Sequence, residues 1–128
     1  MQNVTLIGID LGKHSFHIHC QDKQGNPLLR KKFSRSQLMH FLGSCQVATV
    51  VMESCAGSHY ITRSVTQLGH QVKRIAPQFV RPFVKSNKND FIDAEAICEA
   101  ASRPSMLFVT PRTEDQQAMS ALNRIRDS

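Results

Sequence analysis

The sequence predicts an α/β domain: a mixed five-stranded sheet flanked by helices. Three observations carry that expectation. Val4-Thr-Leu-Ile-Gly-Ile-Asp10 and Val47-Ala-Thr-Val-Val-Met-Glu53 are nearly continuous in aliphatic and β-branched residues, the pattern of strands buried on both faces. His14-Ser-Phe-His-Ile-His-Cys20 instead alternates, as a strand with one apolar and one polar face does. Capped helical segments then alternate with apolar runs, which a layered α/β fold requires.

The first strand ends at Asp10 and is followed by Gly12-Lys13 and the alternating run through Cys20. Asp22-Lys-Gln-Gly25-Asn26 has the composition of a hairpin turn, and Leu28 to Phe33 supplies a third strand. Ser34 can cap a helix through Leu42, with Leu38, Phe41 and Leu42 as its apolar face and Gly43 at its end. The strand ending at Glu53 comes next, then a helix from about Ser58 to Leu68 closed by Gly69, and His70 to Ala76 is the fifth strand. Two prolines limit regular helix in Pro77-Gln-Phe-Val-Arg-Pro82-Phe-Val-Lys-Ser-Asn-Lys88, which reads as a short helical turn followed by a mobile basic loop. Phe79, Phe83 and Phe91 are expected to pack. Asp90 to about Ala101 is helical, Met106 to Val109 is a short strand or extended segment, and Glu114 to Arg126 is a polar amphipathic helix. Three strands, helix, strand, helix, strand, helix is the order a ribonuclease-H-like fold requires.

The chain has 128 residues, enough for one domain with a modest core. Sixteen Lys and Arg against ten Asp and Glu give a formal charge of +6, so a polyanionic partner is expected, nucleic acid above all. Cys20, Cys45, Cys55 and Cys98 are scattered with no Cys-x-x-Cys pair and no signal peptide ahead of them. They read as reduced, mostly packing thiols of a cytoplasmic protein. No apolar stretch approaches the roughly 20 residues that cross a bilayer, so no membrane role is expected.

The chemistry lies in four carboxylates. Asp10 and Glu53 each end an apolar run, and Asp90 and Asp93 stand three residues apart at the start of a helix, so that both project on one side. Such acids repel one another when gathered unless they hold divalent cations, and oxygen-only ligands favour magnesium or manganese over zinc. Two-metal phosphodiester chemistry is the natural use. Each acid also has a plainer reading. Gly8-Ile-Asp10-Leu-Gly also opens actin-like ATPases and sugar kinases, although those need two lobes and far more chain. Glu53 can cap the turn after it, and Asp90 with Asp93 can form a capping box. From the residues alone these alternatives stay open.

Gly8-Ile-Asp10-Leu-Gly-Lys13, Met52-Glu53-Ser-Cys-Ala-Gly57 and Lys88-Asn-Asp90-Phe-Ile-Asp93-Ala94 occur together and in this order. In this the chain resembles, over essentially its whole length, the N-terminal domain of the DEDD insertion-sequence transposases, the group that includes the Piv invertases and the bridge-RNA-guided recombinases. The resemblance implies a RuvC-like nuclease fold. It implies that Asp10, Glu53, Asp90 and Asp93 are the catalytic tetrad and bind two magnesium or manganese ions. The activity implied is DNA cleavage and strand transfer in transposition or site-specific recombination. It also implies DNA as partner, a guide RNA as a candidate partner, and a homo-oligomer in the complete protein. Members of that group carry a second domain with a serine nucleophile, joined through a coiled-coil region. Residues 1–112 are thus expected to form the nuclease domain and residues 113–128 to begin the helical connector, the chain being a fragment. The alternatives are a stand-alone RuvC-like junction resolvase or nuclease, and a non-catalytic module that binds guide RNA or mediates dimers.

Four basic residues are candidates for the nucleic-acid backbone. Lys13 directly follows the first acid-bearing strand, and Arg81, Lys85 and Lys88 lie on the segment before the last two acids. Solvent exposure alone would explain them as well. His17 and His19 fall on one strand face, but a third zinc ligand is lacking, so with His14 they are read as strand surface or core filler. Glu95 and Glu99 are read as a solvated helix face with basic partners. Tyr60 is the sole tyrosine and tryptophan is absent, leaving few platforms for base stacking.

Overall fold

A computed structural model describes residues 4–12, 15–55, 58–84 and 90–109, with side chains in the last helix from Asp93 onward. Five strands, β1 (Leu6–Leu11), β2 (Phe16–Gln21), β3 (Pro27–Phe33), β4 (Thr49–Glu53) and β5 (Gln71–Ile75), form one sheet in the order β3-β2-β1-β4-β5. The first three make an antiparallel meander, while β4 and β5 run parallel to β1. The helices are α1 (Arg35–Ser44), α2 (Ser58–Gln67), α3 (Pro77–Val80), which continues into a 3-10 turn Arg81–Phe83, and α4 (Asp90–Ala101). This is the ribonuclease-H-like arrangement expected from the sequence.

Local chemistry explains the boundaries. Ser34 caps α1 in a capping box: its hydroxyl accepts from the Gln37 backbone N–H, and the Gln37 side chain accepts from the Ser34 N–H. Gly43 does not end the helix. The backbone stays helical through Ser44, whose hydroxyl donates to the His40 and Phe41 carbonyls, and the stop comes at Cys45 in extended conformation. Gly69 does act as a terminator after α2, at φ 98°, where only glycine sits without strain. In the β2–β3 turn the Asp22 carboxylate accepts from the backbone N–H groups of Asn26 and Gln24. The Asn26 bond leads in lowering the Asp22 pKa below the usual carboxylate value.

Each face of the sheet is covered. Ile7, Ile9, Phe16, Ile18, Cys20, Val50 and Met52 point toward α1 and α2, where they meet Leu38, Leu42, Ile61 and Val65. Val51 and Ile75 point the other way, toward Ala96, Ile97 and Ala100 of α4 and Val80 of α3. The alternation in β2 therefore does not leave a wet face. His17, His19 and Gln21 are buried because α4 crosses above them, which makes the two histidines core filler. Phe79 departs from expectation and is 36% exposed, since the short α3 turns it outward. Phe83 is half-buried, with the Arg103 guanidinium 5.1 Å above its ring. Met106 to Val109 contributes no full strand; Val109 makes a single antiparallel bridge to Arg74 on the outer edge of β5. The expected helix over 114–126 and the connector at 113–128 lie outside the described residues.

Candidate functional site

Parity along the strands decides which acids share a face. On β1, Gly8 lies against α4, so Asp10, two residues on, faces the same way. On β4, Val51 packs in the α4 cluster, so Glu53, two residues on, faces the same way. The parallel register pairs Gly8 with Val51 and Ile9 with Met52, and the next step along both strands is Asp10 and Glu53. Two half-buried carboxylates thus lie together on one face where neighbouring parallel strands finish, Glu53 as the last residue of β4 and Asp10 as the last but one of β1.

Gly8 brings α4 close to that part of the sheet. A Cβ at this position would stand 2.6 Å from the Ala94 carbonyl oxygen and 2.7 Å from Cys98 Sγ, so only glycine lets α4 lie this close to β1. The approach is fixed at Ala94, the residue after Asp93, so the beginning of α4 lies over the ends of β1 and β4. Asp93 is half-buried there. Asp90 is the first residue of α4, and its side chain lies outside the described ones. Among the described residues no three His, Cys, Asp or Glu side chains form a metal-binding group. The donor set is nevertheless all carboxylate oxygen, which suits a hard divalent cation.

Arg81 is exposed in the 3-10 turn that precedes α4 in the chain. Lys13, Lys85 and Lys88 lie outside the described residues. Glu95 pairs with Arg30 of β3 at 2.8 Å, the basic partner expected for that helix face.

The other polar groups serve the fold. His70 is buried; its Nδ1 accepts from the Ala48 backbone N–H at 3.1 Å, so Nε2 carries the proton that it gives to the Leu42 carbonyl at 2.6 Å. Burial pushes the Cys20 thiol up to about 12 and raises Cys98 further, and Cys45 is raised for the same reason. These thiols are packing groups, as expected, whereas Cys55 just beyond Glu53 is exposed.

Two residues were not singled out from the sequence. Gly8 showed only as part of an apolar run and of the Gly8-Ile-Asp10-Leu-Gly motif, with no packing role read from it, although the run's interruption by a residue without a side chain marks a close approach. Arg74 on β5 is 3% exposed, and its guanidinium lies 3.4 Å from Ser58 Oγ and 3.4 Å from His59 Nδ1 at the start of α2. It ties β5 to the helix that follows Glu53, and its Nε makes no hydrogen bond. Among the described residues no helix is long and apolar enough to cross a membrane.

A family model described as a transposase, of the DEDD IS110 type, matches residues 7–128. The transposase for insertion sequence element IS1328 of Yersinia enterocolitica is 77% identical over 128 residues, covering 100% of this chain and 38% of that protein. A probable family 20 transposase of Pseudomonas aeruginosa is 44% identical over 97% of this chain and 37% of its own length. The transposase for IS1111A of Coxiella burnetii is 41% identical over 99% and 35%. The chain therefore spans well under half the length of the curated relatives it matches. A T. thermophilus RuvC chain solved in complex with a Holliday junction substrate aligns with a TM-score of 0.49 at 11% identity, over 81% of this chain and 98% of that one.

Proposed function

The chain belongs to the DEDD transposases of the IS110 type, and from that premise we propose that it is the metal-binding nuclease domain of a DNA recombinase, with Asp10, Glu53, Asp90 and Asp93 as the catalytic and metal-holding acids. The observation that supports this most is the shared face and shared edge of Asp10 and Glu53, with the start of α4 held over them by Gly8. Magnesium or manganese ions bound there, two by the count of acids, would polarise a phosphodiester and neutralise its leaving oxygen.

The chain's own residues supply position and charge balance. The ends of two parallel strands and one helix start are rigid supports, so the carboxylates need little reorganisation to act together. Without cations the acids repel one another, and a basic surround offsets that field while drawing in a polyanion. Arg81, with Lys13, Lys85 and Lys88, belongs to that surround in this reading. Residues 1–112 are the nuclease domain and residues 113–128 begin a connector to a second domain that carries a serine nucleophile. A guide RNA and self-association belong to the same proposal for the complete protein, which works in the cytoplasm.

The test compares this chain with the longer transposase. The 128 residues should bind DNA yet cleave and join it poorly, and supplying the second domain should restore strand transfer. In that complete protein Asp10→Ala, Glu53→Ala and Asp93→Ala should each abolish strand transfer while the fold survives. Magnesium-dependent cleavage by the chain alone, as fast as by the complete protein, would replace this reading with a stand-alone junction resolvase or nuclease. Magnesium should also raise the melting temperature, by the equivalent of about 2.7 kcal/mol at a hundredfold excess over the dissociation constant. Asp10→Asn should weaken that shift.

A further inference from the structure

We propose that Lys32 on β3 holds a backbone phosphate of the same DNA strand whose reacting phosphate lies at Asp10 and Glu53. The proposal rests on the nuclease reading above and names the direction in which the strand leaves the site.

The sheet register carries the argument. Asp10 pairs with His17 across β1 and β2, and His17 pairs with Lys32 across β2 and β3. Directly paired residues share a face, so Lys32, His17, Asp10 and, one strand further, Glu53 make one row on the α4 side at the site's edge. The face is confirmed at Arg30, two residues before Lys32, which reaches Glu95 on α4 at 2.8 Å. Two strand spacings separate Lys32 from Asp10, roughly 10 Å between Cα atoms.

Charge and exposure select Lys32 within the row. His17 is buried, so Lys32 is the first exposed group beyond Asp10 on that side. Arg30 is committed to Glu95, whereas Lys32 makes no ion pair among the described residues. Lys31 is the internal control. It too is exposed and on the edge strand, but it pairs with Ile18, whose side chain lies under α1 and α2, so it points to the opposite face. Lysines on an edge strand also deter strand-to-strand aggregation, and that role would not distinguish the two.

The experiment measures binding of a labelled DNA duplex by the full chain, without divalent metal, across a salt series. Lys32→Gln and Lys31→Gln each remove one charge, and melting temperatures establish that both variants fold. Lys32→Gln should weaken binding severalfold at physiological salt and lower the slope of log affinity against log salt by about 0.9. Lys31→Gln should leave the slope near wild type, and Lys32→Arg should restore it. Equal effects of the two glutamine variants, or none from Lys32→Gln, would overturn the assignment. Because this readout needs no metal and no cleavage, it fails independently of the nuclease reading. Loss of strand transfer in Asp10→Ala with wild-type binding by Lys32→Gln would sink the strand path alone.

Discussion

Beneath α1 and α2 the sheet presents Ile7, Ile9, Ile18, Val50 and Met52, all fully buried, and the helices answer with Leu38, Leu42, Ile61 and Val65. Beneath α4 it presents Gly8, His19, Val51 and Ile75, answered by Ala94, Ala96, Ile97, Cys98 and Ala100, a set with fewer large side chains. Large aliphatic side chains bury the most apolar area per residue, each contributing about 1.5–3 kcal/mol, so the first face contributes most of the stability. Small residues bury less but let a helix come close. The second face exchanges stabilisation for position, because its close packing fixes where α4 begins relative to β1, and the proposed acids Asp90 and Asp93 stand at that beginning.

The largest expected effect breaks the first face. Leu38 is fully buried in α1, and Leu38→Ala should cost about 2–5 kcal/mol through lost transfer energy and an unfilled cavity. Denaturant titration checks the size. Below the melting transition, metal response and DNA binding should stay close to wild type, since α1 lies on the side of the sheet away from the acids. A loss of metal response in the folded variant would show that the two faces are not separable.

Gly8→Ala attacks the other face and should reverse that pattern. The added Cβ meets the Ala94 carbonyl, which is backbone and cannot swing aside, so α4 must move off β1. Overpacking of this kind costs about 1–3 kcal/mol, less than the cavity in α1. Its effect on function should be greater, because the displaced element holds two of the four proposed acids. Strand transfer by the complete protein, measured well below the melting temperature, should fall by more in Gly8→Ala than in Leu38→Ala. The opposite ranking would contradict the role assigned to the close approach.

This asymmetry also marks what was legible in the sequence. The aliphatic runs ending in Asp10 and Glu53, the Ser34 cap and the Gly69 stop announced themselves because their causes are local: burial on both faces, a hydroxyl three residues before the backbone N–H that donates to it, a positive φ. Parity was not legible, since which side of a strand faces which helix depends on the register of partners far away in the chain. For that reason the histidines of β2 read as surface or core with equal ease, and Lys32 drew no notice beside Lys31. Gly43 misled because a glycine can be tolerated inside a helix when the following serine satisfies the terminal carbonyls. Arg74 was silent because nothing in its neighbours along the chain hints that Ser58 and His59 will enclose it.

The buried thiols sample both faces, Cys20 on the first and Cys98 on the second. Burial raises both pKa values, so each thiol favours folding as long as it stays protonated. The stabilisation is complete below the unfolded value near 9 and disappears as pH climbs toward the folded value, about 12 for Cys20. One unit above the unfolded value the loss should be about 1 kcal/mol for Cys20. Thermal unfolding at a series of alkaline pH values should show the decline, and Cys20→Ala should flatten it. In alkylation near neutral pH the exposed Cys55 should react first and the two buried thiols only on unfolding. Early modification of Cys98 would mean that α4 lifts from the sheet in the native state.

The smallest effect concerns the one ion pair described between β3 and α4. Arg30 and Glu95 meet at 2.8 Å with side chains 48% and 22% exposed, so solvent screens most of their attraction. A double-mutant cycle with Arg30→Ala and Glu95→Ala should give a coupling of about 0.2–1 kcal/mol, smaller still in high salt. If α4 is held to the sheet by the close approach at Gly8 rather than by this bridge, neither single variant should alter strand transfer, even though Glu95 lies only two residues beyond Asp93. A coupling well above that range, or a loss of activity in Arg30→Ala, would transfer the positioning of α4 from packing to charge.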